Sequence, residues 1–305
     1  MFDADEVTAL LSECLGRPGA KRTNEFFRWK HVDNPFGASI SLVERDERGI
    51  LIALRMFQRW GLSRSGEAIE SVRAVDTATA PRAQGQGLFR KLTLKAVEVA
   101  TAEEVDLVFN TPNQKSGSGY LKMGWQDLGR PGVFIRLTRP PLWGRVEGDP
   151  IEPTSLQAAA ARHTVASDRL RTRTSEAYFR WRYADIPAYE YRMLSNGEAT
   201  AVFRRQQRRG LPELTITELR HPDTFAGARD ASRLVRDLVK HGGAFAVVAA
   251  APLLSTTAAA LMRAGFVWTP LGPRLFARHL AMRRIQRLPV STSDWSLGVG
   301  DLELF

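Results

Sequence analysis

Apolar and polar positions change their period several times along the first half of the chain. Apolar residues three or four positions apart predict helices, and the segments with this spacing are 3–15, 24–32, 88–102 and 116–123. Alternating or continuous apolar runs between turn residues predict strands, at 39–45, 49–60, 68–79, 105–110 and 133–137. The predicted order is therefore two helices, three strands, then helix, strand, helix and strand.

The second half repeats this order of elements. Helices are predicted at 154–163, 174–184, 224–240 and 254–264, and strands at 190–195, 198–205, 213–220, 244–250 and 274–280. A tail follows, with a sequence that would suit packing back over a cleft.

Two matched sequence blocks indicate that the shared order is an internal repeat. TNEFFRWKHVDNP at 23–35 resembles SEAYFRWRYADIP at 175–187, and the second copy begins 152 residues after the first. LKMGW at 121–125 resembles LMRAGF at 261–266 when one extra residue is allowed. Two blocks in the same order predict tandem lobes and a tail, at 1–140, 150–282 and 283–305, with the boundary in the Pro/Gly-rich stretch 139–153.

Composition places the chain among ordinary globular proteins. It has 305 residues, of which 44% are apolar and 25% charged. The longest nearly uncharged apolar run, 244–254, has about half of the ~20 residues that a membrane helix needs. Cys14 is the single cysteine, so an intrachain disulfide is excluded, and the acidic start lacks the basic region of a signal peptide. We expect a cytoplasmic protein without a membrane span.

The formal net charge of +10 raises the alternative of a nucleic-acid-binding protein. The arginines are spread along the chain, and the densest cluster is RRQQRRG at 204–210. No aromatic residues alternate with basic ones in a known RNA-binding pattern. A basic surface attracts a phosphorylated small molecule equally well, so we expect no nucleic-acid partner.

A glycine-containing loop between a predicted strand and a predicted helix carries the chemistry. The strand at 68–79 is followed by Ala-Pro, then by RAQGQG at 82–87, and then by the helix at 88–102. Glycine lets the backbone approach a ligand, and a helix N-terminus offers unpaired N–H groups and a positive dipole end. The arrangement predicts a pyrophosphate site. It is neither an ATP/GTP P-loop, which needs Gly-Lys-Ser/Thr, nor a Rossmann loop, because position 90 is Arg instead of the third glycine.

Two motifs resemble those of the GNAT (GCN5-related) N-acetyltransferase superfamily. Arg82-x-x-Gly85-x-Gly87 matches the family signature Arg/Gln-x-x-Gly-x-Gly/Ala. NQKSGSGYLKMGW at 113–125 resembles the second motif, an Asn, a small residue, a Tyr and a Gly-aromatic pair. The text TATAPR at 77–82 is most similar to the tandem branch that includes Eis-like acetyltransferases.

The resemblance implies a fold, a co-substrate and a set of binding residues. The fold would be α/β (α+β), with two tandem GNAT-like lobes that each have a mixed, mostly antiparallel sheet flanked by helices. The co-substrate would be acetyl-CoA or another acyl-CoA, with no metal. Amides near 84–88 would bind the pyrophosphate, strand 77–79 would pair with the pantetheine arm, and Asn113 would bind the pantetheine or fix the splayed strands. The implied binding residues are Thr77, Ala78, Thr79, Arg82, Gln84, Gly85, Gln86, Gly87, Leu88, Asn113 and Ser116.

The resemblance also implies catalytic roles. Tyr120 would be the general acid, because a phenol keeps its proton at neutral pH and can give it to a departing thiolate. Glu70 and Asp76 are candidates for the general base, since even spacing puts both on one face of a strand. The alternatives are a core position for Tyr120 and an ion pair with Arg73, or an exposed edge, for the two carboxylates. His31 is a further candidate base.

In Eis-like enzymes the C-terminal carboxylate acts as the base, and this chain also ends in a phenylalanine, Phe305. The tail here follows a different C-terminal domain, which weakens the transfer of that role.

The second half departs from both motifs. HPDTFAGARDAS at 221–232 has one glycine and two aspartates that would repel pyrophosphate, and Ala260 stands where the second motif needs Tyr. We therefore expect one acyl-CoA site per chain, in the first lobe. Trp29 and Trp181 of the repeated blocks fit either core packing or a stacking platform for an acceptor.

The leading hypothesis is an acyl-CoA-dependent N-acyltransferase that transfers an acetyl or other short acyl group to the amine of a small molecule. One alternative is a Fem-type aminoacyl transferase, which uses aminoacyl-tRNA and lacks such a loop. Another is a non-catalytic acyl-CoA sensor, which would not need Tyr120.

Overall fold

A computed structural model describes residues 3–15, 23–138, 147–162, 168–281 and 289–302. The α-helices are α1 Ala4–Leu15, α2 Asn24–His31, α3 Leu88–Ala102, α4 Gln114–Lys122, α5 Pro153–Arg162, α6 Glu176–Phe179, α7 Phe225–His241, α8 Thr256–Arg263 and α9 Val299–Leu302. The strands are β1 Ile40–Arg45, β2 Leu51–Arg64, β3 Glu67–Thr79, β4 Leu107–Asn110, β5 Gln126–Gly129, β6 Val133–Leu137, β7 Arg171–Thr172, β8 Arg192–Asn196, β9 Ala199–Arg208, β10 Leu211–Arg220, β11 Ala246–Ala249, β12 Val267–Thr269 and β13 Leu275–His279. None of the helices within these ranges has the length and apolar character to cross a membrane.

The strands form two mixed sheets. In the first, the order is β1-β2-β3-β4-β13-β5, with β7 added beside β2, and β3 and β4 are parallel while the other neighbours are antiparallel. In the second, the order is β12-β6-β11-β10-β9-β8, and only β10 and β11 are parallel. Two mixed, mostly antiparallel sheets flanked by helices confirm the predicted fold class.

The two halves exchange strands. β6, from the first half, lies between β12 and β11 of the second sheet, and β13, from the second half, lies between β4 and β5 of the first. Both strands form where the apolar pattern predicts them, yet each completes the sheet of the other half. The ranges 1–140 and 150–282 thus follow one another in the chain, but each sheet contains strands from both. Most of the linker lies outside the described residues.

A few elements differ from the sequence prediction. The strands β5, β7 and β12 were not predicted, because segments of two to four residues are too short to show a period. The segment 174–184, predicted as one helix, is α6 followed by the π-helical turn Arg180–Ala184.

Two tryptophans of the repeated blocks join the lobes. The rings of Trp29 and Trp181 stack with centroids 4.9 Å apart and planes 15° apart. Each indole donates to the other's carbonyl oxygen, Trp29 Nε1 at 2.7 Å and Trp181 Nε1 at 2.8 Å. Both rings are buried, so the repeated blocks pack against each other in the core and present no platform for an acceptor.

The tail packs back against both halves. Trp295 lies 5.3 Å from Phe109 of β4 between ring centroids, and Ser296 N donates to the carbonyl of Leu170 at 2.7 Å. Beyond it, Gly298 and Gly300 run so close to β10 that an added Cβ would lie about 3.1 and 3.2 Å from the carbonyl of Thr217. The short helix α9 thereby rests on β10.

Candidate functional site

The centre of the first sheet opens at one end. β3 and β4 pair only over Ser71–Arg73, and β3 then continues as far as Thr79. Met56 of β2 pairs with Val75 and the preceding residue pairs with Thr77, which leaves Asp76 as the extra residue of a β-bulge. Asp76 has φ +31°, and such bulges bend a strand and re-aim its groups. The parallel strands therefore splay apart at the bulge.

The predicted phosphate loop leads from this splay to α3. After β3 come a 3₁₀ turn, Pro81–Ala83, and two glycines in the left-handed region, Gly85 at φ +81° and Gly87 at φ +74°. A Cβ added at either glycine would meet no atom within 4 Å. Gly87 is the N-cap of α3, and no side chain caps this helix. The first N–H groups of a 15-residue helix therefore remain available to a ligand at an open surface.

The side chains of the loop fix its position and leave the helix start clear. Arg82 forms an ion pair with Asp46 of the β1–β2 turn at 3.4 Å. The side-chain amide of Gln84 donates to the carbonyl of Thr79 at 3.3 Å. Contacts of the Arg82 and Gln84 side chains with a co-substrate remain predictions. The groups that the loop presents to a ligand are its backbone amides.

Tyr120 lies on α4, next to the splay. It is 2% exposed, and its hydroxyl accepts a hydrogen bond from Arg55 Nη2 at 2.6 Å. Its ring meets Phe89 of α3 edge-on, with centroids 5.5 Å apart. The helix begins at Asn113, whose Oδ1 accepts from the backbone N–H of Ser116 at 3.0 Å. Asn113 and Ser116 thus form the cap that sets the direction of α4, and their contact with pantetheine stays a prediction.

The bulge residue is part of a buried charge network. Asp76 Oδ2 lies 2.7 Å from Lys30 Nζ and 2.7 Å from His31 Nε2, and the other ring nitrogen of His31 contacts Ser39 Oγ at 2.9 Å. Burial raises the pKa of Asp76, but the charge of Lys30 and the hydrogen bond of His31 outweigh it and hold the pKa well below its usual range. Burial lowers the pKa of His31, against the opposing effect of Asp76. Asp76 is therefore an ionised carboxylate with 18% of its side chain exposed.

Glu70 lies elsewhere. It sits near the start of β3, six residues or about 20 Å of strand from Asp76. Its partner is Arg173 of the second half, at 3.3 Å, and 46% of its side chain is exposed. The bulge interrupts the alternation that predicted a shared face, so the structure does not bring Glu70 and Asp76 together. Phe305 lies outside the described residues.

Sequence reasoning missed Arg55. Arg55, in the first half of β2, is 1% exposed, and its guanidinium lies near the rings of Phe57 and Phe89. A single charged residue in the apolar run LIALRMF at 51–57 was the available signal, because a strand position with that pattern is buried.

The second sheet has a matching splay. β10 and β11 are parallel over Glu213–Thr215, and Ile216 pairs with Phe203 while Glu218 pairs with the residue before it, so Thr217 is a bulge residue like Asp76. A bulge beyond a short parallel pairing has therefore formed in both sheets, although Thr217 lacks the positive φ of Asp76.

The surroundings of the second splay differ. Helix α7 is capped by the side chain of Thr224, which accepts from the N–H of Gly227 at 3.1 Å. Gly298 and Gly300 of the tail lie against the bulge, and Ala260 is buried in α8. The helix start is thus capped by its own side chain, and the tail lines the small pocket that remains beside the bulge.

The comparisons with known proteins rest on structure. No protein-family model matches the sequence, and no curated protein matches it. A probable N-acyltransferase from Enterococcus faecalis V583 matches with a TM-score of 0.64 and 13% identity, over 95% of this chain and 71% of that one. A GCN5-related N-acetyltransferase from Anabaena variabilis matches with a TM-score of 0.65 and 11% identity, over 92% and 71%.

Eis1 from Mycobacterium abscessus is similar as well, with a TM-score of 0.60 and 10% identity over 91% of this chain and 71% of that one. At such low identity the likeness concerns the fold alone. In its fold, this chain is similar to solved structures described as GCN5-related N-acetyltransferases.

Proposed function

We propose that the protein transfers an acetyl or other short acyl group from acyl-CoA to the amine of a small molecule. One observation carries this proposal: an uncapped helix start with two left-handed glycines lies at the end of a strand that splays from its parallel neighbour at a bulge. The loop suits a pyrophosphate, and the splay suits an extended arm that ends in a thioester.

The residues present fit the co-substrate. The N–H groups that follow Gly85 and Gly87 would bind the pyrophosphate. The edge of β3 at 77–79, which β4 does not cover, would pair with the amides of pantetheine in exchange for the contact of Gln84 with the carbonyl of Thr79. This would place the thioester near the bulge, where Tyr120 lies on one side and Asp76 is partly exposed.

Tyr120 would act as the general acid. The amine nitrogen attacks the acyl carbon and the C–S bond breaks, with its electron pair going to sulfur. Tyr120 gives its phenolic proton to that sulfur, the attacking nitrogen loses a proton to water, and the phenol recovers its proton from solvent. The products are an amide and free CoA.

Asp76 would act through its charge. A carboxylate whose pKa is held low is a weak proton acceptor, so it suits binding of a cationic ammonium better than general-base catalysis. The bound ammonium would give one proton to water before its nitrogen attacks the acyl carbon. The same negative charge would stabilise the positive charge that develops on the attacking nitrogen. Glu70, about 20 Å away along the strand, has no part in this proposal.

The second lobe would support the first. Its capped helix start, and the tail that lies against its splay and narrows it, argue for a single acyl-CoA per chain. Its strand β13 pairs with β4, and Phe276 of that strand packs in the same cluster as Tyr120. The second half would thus support β4 and the apolar cluster in which Tyr120 packs.

Calorimetric titration with acetyl-CoA, free CoA and bulk tRNA tests the proposal, followed by thiol release with glucosamine, spermidine, lysine and neomycin as amines. We expect acetyl-CoA to bind at one site per chain and thiol release to rise with at least one amine. Absence of acetyl-CoA binding at millimolar concentration would refute the proposal. Binding of tRNA alone would favour the aminoacyl transferase, and acetyl-CoA binding without thiol release would favour a sensor.

A further inference from the structure

The guanidinium of Arg55 is buried, and no carboxylate of the described residues forms an ion pair with it. Its Nη2 donates to the hydroxyl oxygen of Tyr120 at 2.6 Å, while its Nε and Nη1 have no hydrogen-bond partner among the described residues. Burial of a charge is costly unless it is paired. Packing alone does not explain why such a buried charge is kept next to a single phenol, and this points to a functional role.

Aromatic rings surround this guanidinium. Its central carbon lies 5.0 Å from the ring centroid of Phe57, 5.4 Å from that of Tyr120 and 5.8 Å from that of Phe89. Aromatic faces attract a cation but leave its charge unneutralised, and the surroundings exclude water. The electric field of the Arg55 guanidinium therefore acts on the hydroxyl of Tyr120 with little screening by solvent.

The hydrogen bond also sets the direction of the phenol. An arginine can only donate, so the oxygen of Tyr120 is the acceptor in this contact and its own hydrogen points away from Arg55. Arg55 is the cross-strand partner of Thr77, the first residue after the bulge. The phenol is thus held beside the splay, with its proton free for a group that lies there.

We propose that Arg55 is a positioning residue for the acid step, one that orients the hydroxyl of Tyr120 and stabilises the phenolate left by proton transfer. This inference rests on the proposed function. As the C–S bond breaks, the sulfur takes the electron pair and then the phenolic proton, so negative charge moves to the phenolic oxygen. A fixed cation 2.6 Å from that oxygen stabilises the charge without reorganisation.

The experiment compares Arg55→Met, Arg55→Lys and Tyr120→Phe with the double variant Arg55→Met/Tyr120→Phe. The matched control is Arg73→Met, because Arg73 is equally buried between aromatic rings, those of Trp60 and Phe109 at 4.6 and 5.4 Å. Initial rates of thiol release from acetyl-CoA are measured with the best amine of the panel, or with water as acceptor. Thermal unfolding confirms that each variant is folded.

We expect Arg55→Met to lower kcat about 30-fold, within the range of general acid catalysis, with the KM for acetyl-CoA changed less than about threefold. Arg55→Lys keeps a donor and a charge and restores kcat to within about fivefold of wild type. In the Tyr120→Phe background, Arg55→Met changes kcat by less than about threefold, because the group it acts through is gone. Arg73→Met leaves kcat within about threefold of wild type.

Three results would overturn the inference: an unchanged kcat in Arg55→Met, a loss of equal size in the Tyr120→Phe background, or an equal loss in Arg73→Met. If Arg55→Met is unfolded, the Arg55→Lys comparison decides, because a tenfold or larger loss with intact folding contradicts the stated role. Absence of thiol release in the wild type refutes the proposed function itself, which is a different outcome from an Arg55 effect that does not depend on Tyr120.

Discussion

Replacement of Gly87 by alanine separates a phosphate-binding role of the loop from a structural one. Gly87 has φ +74°, and an added Cβ would meet no atom within 4 Å. The change therefore causes no clash, and its cost is the strain of a left-handed alanine, about 1–2 kcal/mol. Gly210, in the β9–β10 turn of the other sheet, has φ +78° and equally open surroundings, so Gly210→Ala is a matched control.

The two variants differ in what they do to binding. An alanine at position 87 relaxes its strain by turning the peptide units that start α3 and places a methyl group at their open face. Loss of one N–H bond to a phosphate oxygen costs about 1.5–3 kcal/mol, which corresponds to a roughly 10- to 100-fold higher Kd for acetyl-CoA. We expect no change in Kd for Gly210→Ala. Both variants lower Tm by about 2–4 °C.

Calorimetric titration with acetyl-CoA gives both affinities, and differential scanning calorimetry without ligand gives both Tm values. A Kd for Gly87→Ala within twofold of wild type, at a Tm equal to that of Gly210→Ala, would refute the assignment of the loop as the phosphate site. An equal loss of affinity in both variants would show that strain at a distance, and not the helix start, limits binding.

Three further variants test the contact between the two tryptophans, the position of the tail and the protonation state of His31. Trp29→Ala lowers the free energy of unfolding by about 3–5 kcal/mol. Adding Trp181→Ala lowers it by less than the first change, because the two rings share one contact. Urea unfolding measures both effects, and additive losses would contradict the shared contact. Gly300→Ala puts a Cβ in steric conflict with the hydroxyl of Tyr183 and lowers the free energy of unfolding by about 1–3 kcal/mol. An unchanged urea midpoint would contradict this position of the tail. Burial lowers the pKa of His31, so the unfolded chain binds more protons than the folded one and stability falls as pH drops below about 6.5. We expect His31→Gln to make the fall of Tm with pH shallower in a series of Tm measurements. An identical slope in the variant would contradict the neutral, buried state of His31.

Periodicity was sufficient for most elements of the first half. The predicted helix at 88–102 and the strand at 68–79 match α3 and β3 to within one residue at each end. The loop between them was identified from its glycines, whose left-handed φ angles the structure shows. These features depend on neighbours in the chain, and local sequence records them.

The bulge at Asp76 was beyond such reasoning. A bulge is a mismatch of register between two strands. The sequence of β3 alone does not indicate which of its residues lacks a partner on β2. For this reason Glu70 and Asp76 were placed on one face, and the contacts of Asp76 with Lys30 and His31 were not foreseen. The strand exchange is similar, since β6 and β13 have the same apolar pattern in either sheet.

By itself, the sequence determined the order of most helices and strands, the repeated blocks and the glycine loop, because each is recognised from residues close together in the chain. The tertiary structure decided which sheet each exchanged strand joins, where the splayed strands bulge, and that Arg55 meets Tyr120 across 65 residues. Those contacts arise from burial and strand register between distant segments, which no local pattern specifies.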